Sequence, residues 1–317
     1  MGATTTIEWT DATWNPIGGC RRVSPGCQNC YAERFAYRFS GEGLPFEGLV
    51  RETAQGPRWT GKTTLRAKSL AWPLSAHPRR CFVASLSDVF QEGLEEEISV
   101  AIWGVMAALP RWTFQALTKR PARALEILSR TTRAGALAAA ARRLEGPRDR
   151  ARLQRAEHAV ALRAWPPPNV WLGTSVEDQE RAEERIPPLL EAPAALRFIS
   201  AEPLLGPLSL SPWLSPRGET PAVLGAPHGV RWVIAGGESG PGARPVHPDW
   251  IRALRDQCRA IGTAFFFKQW GAWAPSNFEV EGSRVLSCPH YGPAHVIPWR
   301  ANDIGRLLDG AIWSETP

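Results

Sequence analysis

No run of eighteen apolar residues occurs in the chain, so a membrane-spanning helix is not expected. The first residues, MGATTT, lack a basic stretch followed by an apolar one, so an export signal is not expected either. Cysteine is scarce: six residues (Cys20, Cys27, Cys30, Cys81, Cys258, Cys288) among 317 are too few for a disulfide scaffold. Reduced thiols follow, used for metal or for burial, in a chain read as cytoplasmic. Neither charge sign dominates strongly. The net charge of +6 permits an acidic partner such as nucleic acid without requiring one.

What is abundant is a repeated alternation from residue 80 onward. Short, β-rich apolar runs end in polar residues, and a helical stretch follows each. The runs are CFVASL (81–86), WTFQAL (112–117), VWLGTSV (170–176), RFISAE (197–202), VRWVIA (230–235) and AFFFKQW (264–270). Continuously apolar strands are buried on both faces, as in parallel sheets. Between them EEEISVAIWGVMAAL (95–109) reads as an amphipathic helix and PARALEILSR (121–130) as one opened by Pro121. HPDWIRALRDQCRAIG (247–262) opens with Pro248 and Asp249 and stops at Gly262. With a further strand around 7–15, the expectation is an α/β chain of six to seven parallel strands closing a partial or complete (β/α) barrel. An open doubly wound sheet is the alternative.

The chain reads as one domain, 1–317, with two interruptions. Residues 134–168 are rich in Ala and Arg, with seven arginines against three acids from Arg142 to Arg163. They are expected to form a helical insertion with a solvated basic face, open to a nucleic-acid contact. Residues 206–229 are rich in Pro, Gly and Ser and read as a surface excursion.

The densest chemistry is GGCRRVSPGCQNCYAER (18–34), three cysteines spaced C-x6-C-x2-C. Fully extended, the steps from Cys20 to Cys27 would span roughly 24 Å, so the loop must double back. Ser24-Pro25-Gly26 is the expected turn, with Gly26 taking positive φ, and Gly18 and Gly19 are expected to let the backbone approach a bulky inorganic centre. A helix after Cys30 would turn its N-terminal dipole toward the thiolates. A structural zinc site would need a fourth ligand from afar, Cys288 or His290; His295, nearby, is more simply incidental. An iron–sulfur cluster on three thiolates would leave one iron open. Cys81 and Cys258 read as small apolar side chains.

The chain resembles a phage-associated and bacterial family of radical-SAM-like proteins, that of phage gene products 37 and 68. The stretches carrying the resemblance include IEWTDATWNP, GCQNCYAERFA, SLSDVF, LTKRP, VWLGTSVEDQ, RFISAEPLLGP, GGESGPGARPVHPDW and FFFKQWG. The resemblance implies a four-iron four-sulfur (4Fe-4S) cluster on Cys20, Cys27 and Cys30, with S-adenosylmethionine (SAM) on the open iron and a reductant or electron-transfer protein as partner. Two features depart from the commonest radical-SAM pattern. The first cysteine gap is six instead of three, with Asn29 in place of an aromatic before Cys30, and SLSD stands where a Gly-Gly-Glu motif is usual.

The strand ends supply the remaining candidates. Ser85, Asp88, Ser175, Glu177, Glu202, Gly236, Gly237, Glu238 and Ser239 are candidates to bind SAM, whose head, ribose and adenine need both charged and apolar partners. Lys119, Arg120 and Lys268 are candidates to meet an anionic substrate, with a nucleobase in DNA or a nucleotide as the class. Two rivals stand beside this reading. One is a metal-clipped nucleic-acid-binding protein without catalysis; the other is a metal-free hydrolase using Glu177 and Glu202 as paired carboxylates.

Overall fold

The computed structural model describes residues 5–160, 164–217, 229–275, 286–287, 295–298 and 306–317. Seven strands carry the alternation: β1 (Ala12–Trp14), β2 (Arg80–Val83), β3 (Thr113–Thr118), β4 (Val170–Ser175), β5 (Leu196–Ala201), β6 (Trp232–Gly236) and β7 (Ala264–Gln269). One sheet holds them in chain order, with parallel neighbours. Sequential order excludes the doubly wound alternative, in which strand order reverses at a switch point. The fold is therefore α/β of the partial (β/α)-barrel kind. Helices occupy the connections: α1 (Tyr31–Tyr37), α2 (Glu96–Ala107), α3 (Pro121–Arg130), α4 (Arg133–Arg143), α5 (Pro147–His158), α6 (Gln179–Glu191) and α7 (Pro248–Ile261). Among the described residues no helix is long and apolar enough to cross a membrane.

The chain divides into two compact units. The first comprises Met1–Val23, Ala32–Thr174 and Glu191–Leu196. Its core is aromatic, with Trp14 against Phe114 and Phe90 against Trp103 at ring-centroid distances of 5.6 and 5.2 Å. Helix α2 begins and ends as expected, yet it is buried nearly all round from Ile98 to Ala107 instead of amphipathic. The cause is α4, which lies across it. A side chain on Gly104 would run into the Ala136 carbonyl, so the glycine permits the close crossing.

The Ala/Arg-rich insertion is helical, but only part of it is a solvated basic face. Helix α4 buries Ala136, Ala139 and Ala140 and is capped by Thr132, whose Oγ1 accepts from the Gly135 amide at 3.1 Å. Helix α5 is the solvated part, with Leu153 its buried residue.

The second unit comprises Ser24–Tyr31, Ser175–Leu190 and Arg197–Pro317. Strands β5 and β6 are buried along their whole length, as their continuous apolar runs require. Ile199, Val233, Leu254, Phe265 and Phe267 form the heart of its core. Helix α7 ends on Gly262 at φ 84°, and His247 accepts from the Asp249 amide at 3.2 Å at its start. The surface excursion expected at 206–229 needs correction in its first part. Leu208 and Leu210 are buried, and the Gln257 side chain accepts the Leu210 amide at 2.6 Å. Residues 218–228, and the candidate ligands Cys288 and His290, lie outside the described residues; His295 enters only through the backbone of a short strand, His295–Pro298.

Candidate functional site: the strand ends and the cysteine turn

Chemistry in parallel α/β sheets gathers at the carboxyl ends of strands, where the βα loops and the helix N-termini converge. In the first unit these ends are occupied by a closed polar knot. Asp88, buried, accepts from Thr118 Oγ1 at 2.7 Å, the Phe90 amide at 2.9 Å, the Lys119 amide at 3.0 Å and Arg120 Nη1 at 2.9 Å. Arg120, also buried, pairs with Glu92 at 2.6 Å and donates Nη2 to the Arg21 carbonyl at 3.0 Å. Burial disfavours its charge, but Asp88, Glu92 and Cys20 outweigh that and hold its pKa above the usual guanidinium value. Ser85 Oγ exchanges hydrogen bonds with Asn15 at 3.1 and 3.2 Å. Asp88 and Arg120 thus position the loop beside Cys20. Their polar atoms are taken by protein groups. Lys119 is half-buried, beside this knot.

The glycines before Cys20 serve packing within the first unit. Gly19 has φ 85°, and a side chain there would run into the Lys62 carbonyl. Gly18 pairs with Thr64 in a two-stranded ribbon, and a Cβ there would come within 2.9 Å of the Arg66 side chain.

In the second unit the cysteine turn is a 3-10 helix, Pro25–Cys27, and Gly26 is not in the positive-φ region expected of it. Its value lies in its amide, which donates to Glu177 Oε1 at 3.1 Å. Glu177 follows β4, is fully buried, and pairs through Oε2 with Arg185 of α6 at 3.1 Å. A carboxylate so enclosed cannot serve as half of a hydrolytic pair open to water and substrate. Ser175 is buried beside it, its carbonyl accepting from Arg185 at 2.9 Å.

A second anchor runs from the other end of the turn. Asn29 Nδ2 donates to Glu238 Oε2 at 3.0 Å and to the Gly242 carbonyl at 2.7 Å. Arg244 donates to Glu238 through Nε at 2.9 Å, Nη2 at 2.7 Å and its amide at 2.8 Å. The same guanidinium reaches the Pro25 carbonyl at 3.0 Å and Gln28 Oε1 at 3.3 Å. Burial pushes the Glu238 carboxyl up, but the bonds from Arg244 and Asn29 together outweigh it and hold it below the ordinary value. Asn29, Arg244 and Arg185 carry this arrangement, and no local sequence signal singles them out: their bonds span 8 to 219 residues of chain.

The second unit also holds an ion pair with some access to solvent. Lys268 Nζ, on β7, stands 3.0 Å from Glu202 Oε1, just after β5; the side chains are 28% and 12% exposed. Ser200 donates to the other carboxylate oxygen at 3.2 Å. Gly236, on the strand between, leaves room for that carboxylate, since a Cβ would lie 2.8 Å from Glu202 Oε1. Gly237 is required by the Trp270 carbonyl, into which a side chain would run. Ser239 is exposed and accepts from Gln269 at 2.7 Å.

The thiols divide sharply. Cys81 and Cys258 are buried, and burial pushes both thiols up to about 12. Cys20, Cys27 and Cys30 are half-exposed and free of disulfides, Cys20 in the first unit and the others in the second. Among the described residues no three His, Cys, Asp or Glu side chains stand together as ligands to a metal ion. In donor type, three accessible thiols with soft sulfur fit iron–sulfur or zinc chemistry better than hard-cation chemistry.

These features define an α/β protein of partial-barrel type whose cysteine turn is tied to the carboxyl ends of its strands. The chain belongs to the family described as "Protein of unknown function (DUF5131)", whose model matches residues 4–317. No curated protein and no solved structure matches it.

Proposed function

We propose that this protein is a radical SAM enzyme acting on a nucleic-acid base or nucleotide, with a one-electron donor protein as partner. Cys20, Cys27 and Cys30 hold a 4Fe-4S cluster in this reading. Bound there, that group would supply one-electron reductive cleavage of the SAM sulfonium and so start radical chemistry on the substrate. The observation that carries the reading is the anchoring of the Cys27–Cys30 turn to strand-end residues, through Gly26 to Glu177 and through Asn29 and Arg244 to Glu238. A loop held this way keeps two thiols in a fixed backbone frame.

The remaining candidates separate into two groups on their partners. Asp88, Arg120 and Glu177 act as scaffold, since their charges are met within the protein. Glu202 and Lys268 are the pair with charge to offer a ligand: the carboxylate to an ammonium group, the ammonium to a carboxylate or phosphate. Gly236 lies against that carboxylate, and Gly237 and Ser239 follow it in the chain. Cysteines outside any disulfide suit a reducing, cytoplasmic setting.

The test is anaerobic reconstitution with iron and sulfide, then incubation with SAM and a reductant. Release of 5′-deoxyadenosine, lost in Cys27→Ala, supports the enzyme. An intact cluster with no release refutes it. A colourless, zinc-loaded protein would transfer support to the metal-clipped nucleic-acid-binding protein, a reading favoured by the exposed arginines of α5.

A further inference from the structure

Helix α5 is polar on almost every side, with Leu153 as its buried residue. Polar contacts hold it in place. Arg150 donates to the Leu144 carbonyl at the end of α4 at 2.8 Å, and Arg133 pairs with Glu157 at 2.6 Å. A helix with so little apolar burial contributes little to a core. Its sequence, PRDRARLQRAEH, instead places Arg148, Arg152 and Arg155 at positions i, i+4 and i+7, along one face. All three are exposed. Arg152 pairs with Asp149 at 2.9 Å, whereas among the described residues Arg148 and Arg155 meet no carboxylate.

The chemistry of a partner follows by exclusion. The helix exposes no large apolar side chain, so it has no face to insert into a bilayer. It carries no Phe, Tyr or Trp, so it offers unpaired bases nothing to stack on. What remains is a straight cationic ridge about 10.5 Å long, at 1.5 Å of rise per residue. Duplex DNA presents one negative charge per roughly 1.7 Å of axis, so such a ridge lies along about six charges.

We propose that α5 docks on the sugar-phosphate backbone of duplex DNA through Arg148, Arg152 and Arg155, without reading base sequence. Phosphate contacts fix position and carry no sequence information. The inference extends the nucleic-acid part of the proposed function, yet it needs neither cluster nor SAM, so the two can fail separately.

The experiment is fluorescence anisotropy of a labelled duplex with the full chain, from low to moderate salt. The variant is R148Q/R152Q/R155Q; glutamine keeps helix propensity, and circular dichroism checks the fold. The logarithm of the binding constant should fall linearly with the logarithm of salt, and the variant should flatten that slope by about 2 to 3, at ~0.9 per phosphate contact. A folded variant with an unchanged slope overturns the proposal. So does arginine-dependent binding of polyglutamate as tight as that of the duplex, or tighter binding of single-stranded oligothymidine.

Discussion

Replacing Arg244 by alanine tests the anchor on which the cysteine turn depends. Glu238 is 6% exposed in its side chain, and Arg244 supplies two of its charge-assisted bonds from side-chain nitrogens and a third from its amide. Alanine keeps the amide bond and the bond from Asn29, but leaves a buried carboxylate without its counter-charge. Breaking a buried pair from one side costs about 3–5 kcal/mol. Arg244 is 24% exposed, so water replaces part of what is lost, and about 2–3 kcal/mol is expected at neutral pH.

The pH dependence has a definite sign. In the wild type the Glu238 carboxyl is depressed, so its contribution is present above the unfolded value near 4.3 and is lost as pH falls through the folded one. In the variant burial dominates, the carboxyl is raised instead, and its ionised form destabilises the fold at neutral pH. The stability gap should therefore be widest at pH 7 and narrow as pH falls through the variant's raised value and the wild type's depressed one, down to about pH 3. Urea unfolding at both pH values measures it, and alkylation of Cys27 and Cys30 reports the freed turn, since Arg244 also holds the Pro25 carbonyl. A loss under about 0.5 kcal/mol at pH 7, or an equal loss at both pH values, would refute the reasoning.

Two further outcomes follow from packing. Gly237→Ala should destabilise the chain by about 2–3 kcal/mol, because its Cβ meets the Trp270 backbone carbonyl, which has no rotamer to move; an unchanged urea midpoint would contradict this. In the native protein at pH 8, iodoacetamide should label Cys20, Cys27 and Cys30 well before Cys81 and Cys258, whose buried thiols are pushed up to about 12. Mass spectrometry of the labelled peptides decides it, with uniform labelling the contrary result.

Local signals are legible where their causes are local. Pro248 and Gly262 bound α7 through backbone restriction at the two residues themselves, and continuously apolar runs marked β5 and β6 because both faces of those strands are covered. Signals failed where a distant neighbour chose the outcome. Amphipathicity over residues 95–109 was overridden by α4 lying on the face that would have met water. Gly26 was expected to bend the turn, whereas its amide is committed to Glu177, which lies 151 residues away.

The same division runs through the candidate site. Which residues stand at strand ends was legible from hydrophobic alternation alone, and so was the spacing of three cysteines along one short loop. Which strand-end charges remain open to a ligand was not, because a charge in a sequence carries no record of its partner. Asp88, Arg120 and Glu177 are satisfied by side chains and amides brought to them by folding, while Glu202 and Lys268 keep some access to solvent. Residue type set the range of chemistry available; burial and hydrogen-bond partners, which arise only when the chain packs, selected among the groups that could perform it.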